Sequence, residues 1–258
     1  MTDHTAGGEL APPEINHVGF ADLRAAFVLG ARDFARAPGF GLFFASVYVA
    51  GGIILWLALT NAGQLWWTIP ITLGFPLLGP FIAVGFYEVS RRLEAGEALD
   101  WPGVLGVIFR QKDRQIPSIA AVIVVFFLFW NFLAHMIFAL FLGLQVMTNI
   151  SSSFAVFLTG NGVLMIAVGT AVGAVFSAVL FSLTVVALPM LLDREVDFVT
   201  AMLTSLDCVR ANPVVMLGWG ALIAVLLFAG MLPLFLGLFV VLPVLGHASW
   251  HLYRRCLG

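Results

Sequence analysis

Uncharged runs set the pattern of this chain: residues 37–87, 115–192 and 211–253 contain no Asp, Glu, Lys or Arg. A hydrocarbon layer about 30 Å thick is crossed by about 20 apolar helical residues, so each run is long enough for two crossings. The first divides at Asn61, Ala62, Gly63 and Gln64 into spans of about 40–60 and 66–88. The second divides at a polar stretch holding Thr148, Asn149, Ser151, Ser152, Ser153, Thr159 and Asn161, giving about 117–146 and 163–191. Gly230 and Pro233 cut the third into about 213–231 and 234–252. The pattern predicts an all-α membrane protein of six transmembrane helices arranged as three hairpins. A four-span arrangement with one re-entrant hairpin satisfies the same parity.

The charges fix the orientation. All 12 Lys and Arg fall in the N-terminal tail (Arg24, Arg32, Arg36), the second loop (Arg91, Arg92, Arg110, Lys112, Arg114), the fourth loop (Arg194, Arg210) and the C-terminus (Arg254, Arg255). Positive residues near span ends are retained in the cytoplasm, so both termini are expected there. The 14 carboxylates lie on the same side, with Glu88 the one nearest a membrane boundary. Residues 1–18 are polar and proline-bearing, with no apolar signal-peptide core, and are expected to form a flexible tail before a single membrane domain over 19–258. Cys208 and Cys256 fall on the reducing side without metal or redox spacing, so they read as free thiols. Composition agrees with lipid as the solvent: 61% hydrophobic, 10% charged and mean hydropathy +1.05, against about a quarter charged in soluble domains. A net charge of only -2, with no basic stripe, excludes nucleic-acid binding.

The chain also repeats a unit. Asp22 precedes Pro38 by 16 residues, Asp100 precedes Pro117 by 17 and Asp197 precedes Pro213 by 16; a pair of spans follows each proline. The first and third units close alike, with Gly74, Pro80, Arg91 and Arg92 in one matched by Gly237, Pro243, Arg254 and Arg255 in the other. The middle unit instead carries Pro189 and then Asp193-Arg194. Phe20, Leu23, Phe27 and Phe34 share a helical stripe, as do Phe198, Met202, Leu206 and Val209, while Asp22, Arg32, Asp33, Arg36 and Asp207 lie elsewhere around the turn. Val104, Val107 and Ile108 show the pattern weakly. Each lead segment is therefore expected to be an amphipathic helix on the cytoplasmic interface. Such repetition fits a packing unit better than a transporter of duplicated halves, which favours two inverted copies.

Candidate chemistry is sparse. Ionisable groups in a membrane are costly and functional by default; His135 stands in the third span one turn after Asn131, with Gln145 beyond. That pair can bind a polar group or relay a proton, or it can be an ordinary interhelical hydrogen-bond pair. In the second span Pro70, Gly74, Pro76, Gly79 and Pro80 predict a broken helix, whose freed backbone groups can hold ions, and Pro243 predicts a milder break in the sixth. Asn131 and His135, with Pro76, Gly79 and Pro80 of the second span and Glu88 at its edge, form the candidate solute site. Gly169, Gly173 and Ser177 make a small-residue ridge for close helix approach. His247 and His251, beside Trp250 and Tyr253, and the Trp66-Trp67 pair read as interfacial aromatic belts. Two His one turn apart do not complete a metal site. No P-loop, HExxH or GxSxG occurs, so neither enzymatic activity nor a cofactor is expected.

The stretches Phe75-Pro76-Leu77-Leu78-Gly79-Pro80-Phe81 with Gly85 through Arg92, and Leu188-Pro189-Met190-Leu191-Leu192-Asp193-Arg194-Glu195-Val196-Asp197-Phe198 with Ala201-Met202, Ser205 and Asn212-Pro213, resemble a bacterial family of integral membrane proteins catalogued as domain of unknown function 2189. The resemblance covers about 20–255 and implies a multi-pass protein of a Gram-negative inner membrane; it carries over no catalytic residue. The leading expectation is a non-enzymatic accessory or assembly component of a membrane complex. Its partners would be the bilayer and other membrane proteins or further copies of itself. The alternative is a channel or facilitator for a small solute or ion, built on the broken second span and Asn131/His135.

Overall fold

The computed structural model describes residues 14–61, 80–111, 114–146 and 154–258. Among these residues the regular structure is helical throughout. The helices are α1 (Phe20–Arg36), α2 (Pro38–Asn61), α3 (Pro80–Ala95), α4 (Trp101–Gln111), α5 (Ile116–Val146), α6 (Gly160–Thr184), α7 (Ala187–Asp193), α8 (Phe198–Ala211), α9 (Pro213–Met231) and α10 (Leu238–Leu257), with a 3-10 turn at Phe154–Leu158 before α6. Four stretches among the described residues are long and apolar enough to cross a bilayer: Pro38–Ala58, Ile116–Gly143, Gly160–Asp193 and Pro213–Met231. They coincide with the expected first, third, fourth and fifth spans. Of the expected second span only the part from Pro80 onward is described; Trp66, Trp67, Pro70, Gly74, Pro76 and Gly79 lie outside the described residues. The expected sixth span corresponds to α10, whose second half carries His247, Ser249, His251, Arg254 and Arg255, and which is not one of the four.

Three breaks have local causes. Pro189 has no N–H and crowds the carbonyl four residues back, at Val185. The expected fourth span is accordingly broken at Val185–Val186 into α6 and α7, and the Ser205 hydroxyl accepts the Val186 N–H at 3.1 Å. Ala37 and Asn212, each preceding a proline, share one backbone geometry, φ -131 with ψ 52 and 51. A proline pushes its predecessor out of the helical region, so α1 turns into α2, and α8 into α9, by the same device. Pro243, where a mild break was expected, sits inside a continuous α10.

The lead segments are the helices α1, α4 and α8. Asp100 accepts the Gly103 N–H at 2.9 Å and Asp197 accepts those of Val199 and Thr200 at 3.0 and 2.9 Å, both as N-terminal caps. Asp22 works three residues further in, taking the Gly19 N–H at 3.0 Å. The inward faces differ from the expected stripes. On α1 the buried residues are Ala26, Gly30 and Asp33, while Phe20 is exposed; on α8 they are Ala201, Ser205, Cys208 and Val209. The reason is α10, against which α1 lies antiparallel: a Cβ on Gly30 would stand 2.5 Å from the Ala248 nitrogen. Backbones that close together are lined with small residues, so the large apolar side chains of α1 flank the contact.

Residues 14–18, expected as part of the flexible tail, are tied down. The Asn16 N–H donates to the Cys256 carbonyl at 2.9 Å, the Val18 N–H to Asn212 Oδ1 at 2.9 Å, and Asn212 Nδ2 to the Asn16 carbonyl at 3.0 Å. The Asn16 N–H thus satisfies a carbonyl at the end of α10, and the Asn212 side chain satisfies two backbone groups of the segment. The core runs along α10, with Trp219 of α9, Phe86 of α3 and Phe44 of α2 packed into it. Cys208 and Cys256 are both free and buried, and burial pushes each thiol up to about 12.

The ridge on α6 is used in part. The Trp130 ring of α5 lies where a Gly173 Cβ would be, 2.8 Å away, whereas Gly169 faces open space and Ser177 is exposed. Gly173→Val is therefore expected to cost about 1–3 kcal/mol by overpacking, while Gly169→Val leaves the thermal midpoint in detergent within experimental scatter. Equal midpoints for the two variants would contradict the α5–α6 packing.

Candidate functional site

The polar groups converge where α1, α3 and α10 meet. His247 and His251 are one turn apart on α10 and so face the same way. Each meets a polar group supplied by a different helix. His251 Nε2 lies 2.7 Å from Asp33 Oδ2, and His247 Nδ1 lies 2.8 Å from Ser90 Oγ. Ser90 closes the chain by donating to Asp33 Oδ2 at 2.8 Å. Asp33, Ser90 and His247 are buried.

The proton positions follow from donor arithmetic. A carboxylate only accepts, so Ser90 spends its one proton on Asp33, and His247 must carry its own on Nδ1 to reach Ser90 Oγ. The Phe86 carbonyl faces the same imidazole. Nε2 is left as the bare, buried nitrogen, with no hydrogen-bond partner among the described residues, in a ring packed edge-on to Phe86 at 5.6 Å. Burial drives the Asp33 carboxyl up, but the hydrogen bonds from His251 and Ser90 and the nearby His charge more than offset it, leaving it below the ordinary carboxylate value. A carboxyl with a depressed folded pKa contributes stability above its unfolded value and loses it as pH falls through the folded value. The thermal midpoint is therefore expected to drop below about pH 4, and Asp33→Asn should remove that acid-dependent component. An unchanged acid profile in the variant would show that Asp33 does not report on this contact.

A second clamp lies alongside. Glu88 is 0% exposed; Arg91 Nε reaches its Oε2 at 2.8 Å, and Arg91 Nη2 and Arg92 Nε reach Oε1 at 3.0 and 2.6 Å. The Glu88 bond raises the Arg91 guanidinium above its ordinary value. Arg91 extends to Glu97 at 3.0 Å, and Arg92 to the Ala98 carbonyl at 2.9 Å and Asp100 at 3.4 Å. These bonds bind the loop after α3 to the cap of α4. Glu94 accepts from Trp250 Nε1 at 2.8 Å and from Arg254 at 3.3 Å, and Tyr253 donates to Asp193 at 2.6 Å. Through these contacts α10 is bonded to α1, α3 and α7 at its charged end.

The expected candidate residues do not assemble into one site. Asn131 and His135 lie half-buried on α5, and each bonds the carbonyl one turn back on its own helix, Asn131 Nδ2 to Phe127 at 2.9 Å and His135 Nδ1 to Asn131 at 2.6 Å. Pro76 and Gly79 fall outside the described residues, and Pro80 opens α3. Glu88 belongs to the clamp within α3, held by Arg91 and Arg92. Sequence reasoning missed Asp33 and Ser90, and it read His247 and His251 as an aromatic belt. The available signal was Gly30: a glycine three residues before an aspartate in an apolar stripe marks a helix that can bury its acid against a neighbour.

No curated protein and no solved structure matches the chain. Residues 68–193, just under half of the chain, match the model of the family described as "Predicted integral membrane protein (DUF2189)", the same family that the proline motifs resemble, and with its several apolar helices the chain is an integral membrane protein.

Proposed function

We propose that this is a non-enzymatic protein of a bacterial cytoplasmic membrane that acts through helix contacts, as an accessory or assembly component of a larger membrane complex. The reading includes six crossings as three hairpins, with α1, α4 and α8 on the cytoplasmic side together with both termini and all the charged residues. The observation that carries it is α5. This helix is long enough to cross the bilayer, yet its most apolar window is only 17% buried inside the chain. Val125, Leu128, Phe129, Phe132, Met136 and Leu140 all point outward. Without a hydrophobic drive between helices in lipid, such a face is free for packing with another membrane helix. Gly169 and Ser177, open on the neighbouring helix, add a place for close approach.

Extraction in mild detergent followed by mass and composition analysis tests this. The expected result is a species heavier than one chain, containing a second membrane protein. A solitary monomer with no companion, from cells expressing the chain at its native level, would overturn the proposal. The alternative, a channel or facilitator built on Asn131 and His135, predicts solute flux in reconstituted vesicles that His135→Ala alters; unchanged flux in that variant would reject it.

A further inference from the structure

A cavity of about 280 Å³ opens beside the Glu88 clamp, lined by Glu88 and Arg91 of α3, Val107 and Arg110 of α4, Arg114 and Leu192. Three guanidinium groups face one carboxylate. Both oxygens of that carboxylate are already held by Arg91 and Arg92, which Glu97 and Asp100 balance further, so the positive charge the cavity can offer comes from Arg110 and Arg114. Arg110 has no ion-pair partner among the described residues. Arg114 pairs with Glu195, whose side chain is 83% exposed, and an exposed pair of this kind is worth little and is easily exchanged.

The place of the cavity in the fold selects the ligand. Arg114 stands two residues before Ile116, where one apolar stretch begins, and Leu192 is the penultimate residue of another, Gly160–Asp193. The cavity is thus bracketed by the ends of two candidate spans, at the depth where hydrocarbon gives way to headgroups. Trp101, at the start of the helix that supplies Arg110, packs on Phe40 and Phe43 in the first turns of α2, with ring centroids 4.1 and 5.2 Å apart. A tryptophan at such a place anchors a helix at the membrane–water boundary. Val107 and Leu192 give the cavity apolar walls beside its charges, which suits a ligand with a charged head and an apolar root.

We propose that Arg91, Arg110 and Arg114 form a binding site for a phosphate group, carried by an anionic phospholipid of the adjoining leaflet. Guanidinium forks match phosphate oxygens in pairs, and basic pockets among membrane helices on the cytoplasmic side take anionic headgroups. Arg91, fixed by Glu88 and Glu97 with four of its five N–H groups spent on them, forms a rigid wall of the site. Arg110 and Arg114 close on the phosphate from α4 and the turn before α5. The site does not depend on the assembly reading, since a monomeric membrane protein would carry it equally.

The test uses the purified full-length chain in neutral detergent. Thermal unfolding is followed with added phosphatidylcholine, with phosphatidylglycerol, or with inorganic phosphate, and retained lipid is read by native mass spectrometry. Phosphatidylglycerol is expected to raise the midpoint and to be retained, with phosphatidylcholine doing neither. Arg110→Gln and Arg114→Gln should each weaken that binding about fivefold, while Arg210→Gln, on the exposed face of α8, leaves it unchanged. Arg110 and Arg114 are both exposed, so equal midpoints without ligand establish that the variants fold. A shift by inorganic phosphate alone, lost in the same two variants, assigns the phosphate site to a soluble source rather than a lipid. Binding of phosphatidylglycerol that ignores both substitutions, or no response to either phosphate source, overturns the proposal.

Discussion

Gly30→Val is expected to separate α1 from α10 and to lower stability by about 3 kcal/mol, near the upper end for overpacked cores. Even the first added carbon would lie 2.5 Å from the Ala248 nitrogen and 2.7 Å from the Val244 carbonyl oxygen. Those are backbone atoms, with no rotamer to give way. Relief must come from moving the whole helix, which pulls Asp33 from His251 and Ser90 and Asp22 from Arg255, now 2.8 Å apart. Gly51→Ala, in the interior of α2 with nothing within 4 Å of the new carbon, is the matched control. It should be neutral or slightly stabilising, since alanine is the better helix former. Monodispersity and thermal midpoint in detergent read both variants. Indistinguishable behaviour would mean that α1 is not packed on α10 as described.

Replacing Glu88 has a comparable effect for a different reason. Glu88→Leu removes the one carboxylate that Arg91 and Arg92 share inside the core, leaving two partly buried cations with only the more exposed Glu97 and Asp100 to pair with. Breaking a buried pair from one side typically costs 3–5 kcal/mol, most of it the cost of stranding the remaining charge; with Arg91 still partly exposed, about 3 kcal/mol is expected. Asp207→Asn breaks the pair with Arg210, in which both side chains are more than half exposed, and should move stability by well under 1 kcal/mol. If the two substitutions cost the same, the Glu88 clamp is not the buried junction its geometry describes.

Much of the fold was legible because membrane solvation leaves strong marks. Four apolar stretches fell where uncharged runs required them, and each lead segment is a helix ending before the proline that turns the chain. The residues 37 and 212, alike in backbone geometry, follow from that proline alone. The break at Val185 was equally available from Pro189, but a continuous apolar run conceals it: hydropathy reports solvent, and says nothing of a missing amide. The buried polar centre was the least legible. Helical periodicity placed Asp33 with Arg32 and Arg36 on the outer face, because a single-helix pattern knows nothing of the partner. What buries Asp33 is Gly30 together with Ser90 and His251, from two helices distant in sequence. His247 and His251 looked like ring-bearing residues at an interface for the same reason. Asn131 and His135 attracted notice by their rarity, yet an isolated polar side chain in an apolar helix can satisfy itself on the carbonyl one turn back.

The gathering of every charge at one membrane face is tested most directly by thiol labelling with a membrane-impermeant maleimide, in right-side-out and inverted vesicles. Cys208 and Cys256 are buried, so the parent chain supplies an unlabelled background. Asn61→Cys, at the end of α2, and Leu232→Cys, in the exposed turn after α9, are expected to react only in right-side-out vesicles. Glu195→Cys, beside Arg114, should react only in inverted ones. Labelling of residue 195 from the same side as residue 61 or 232 would contradict it.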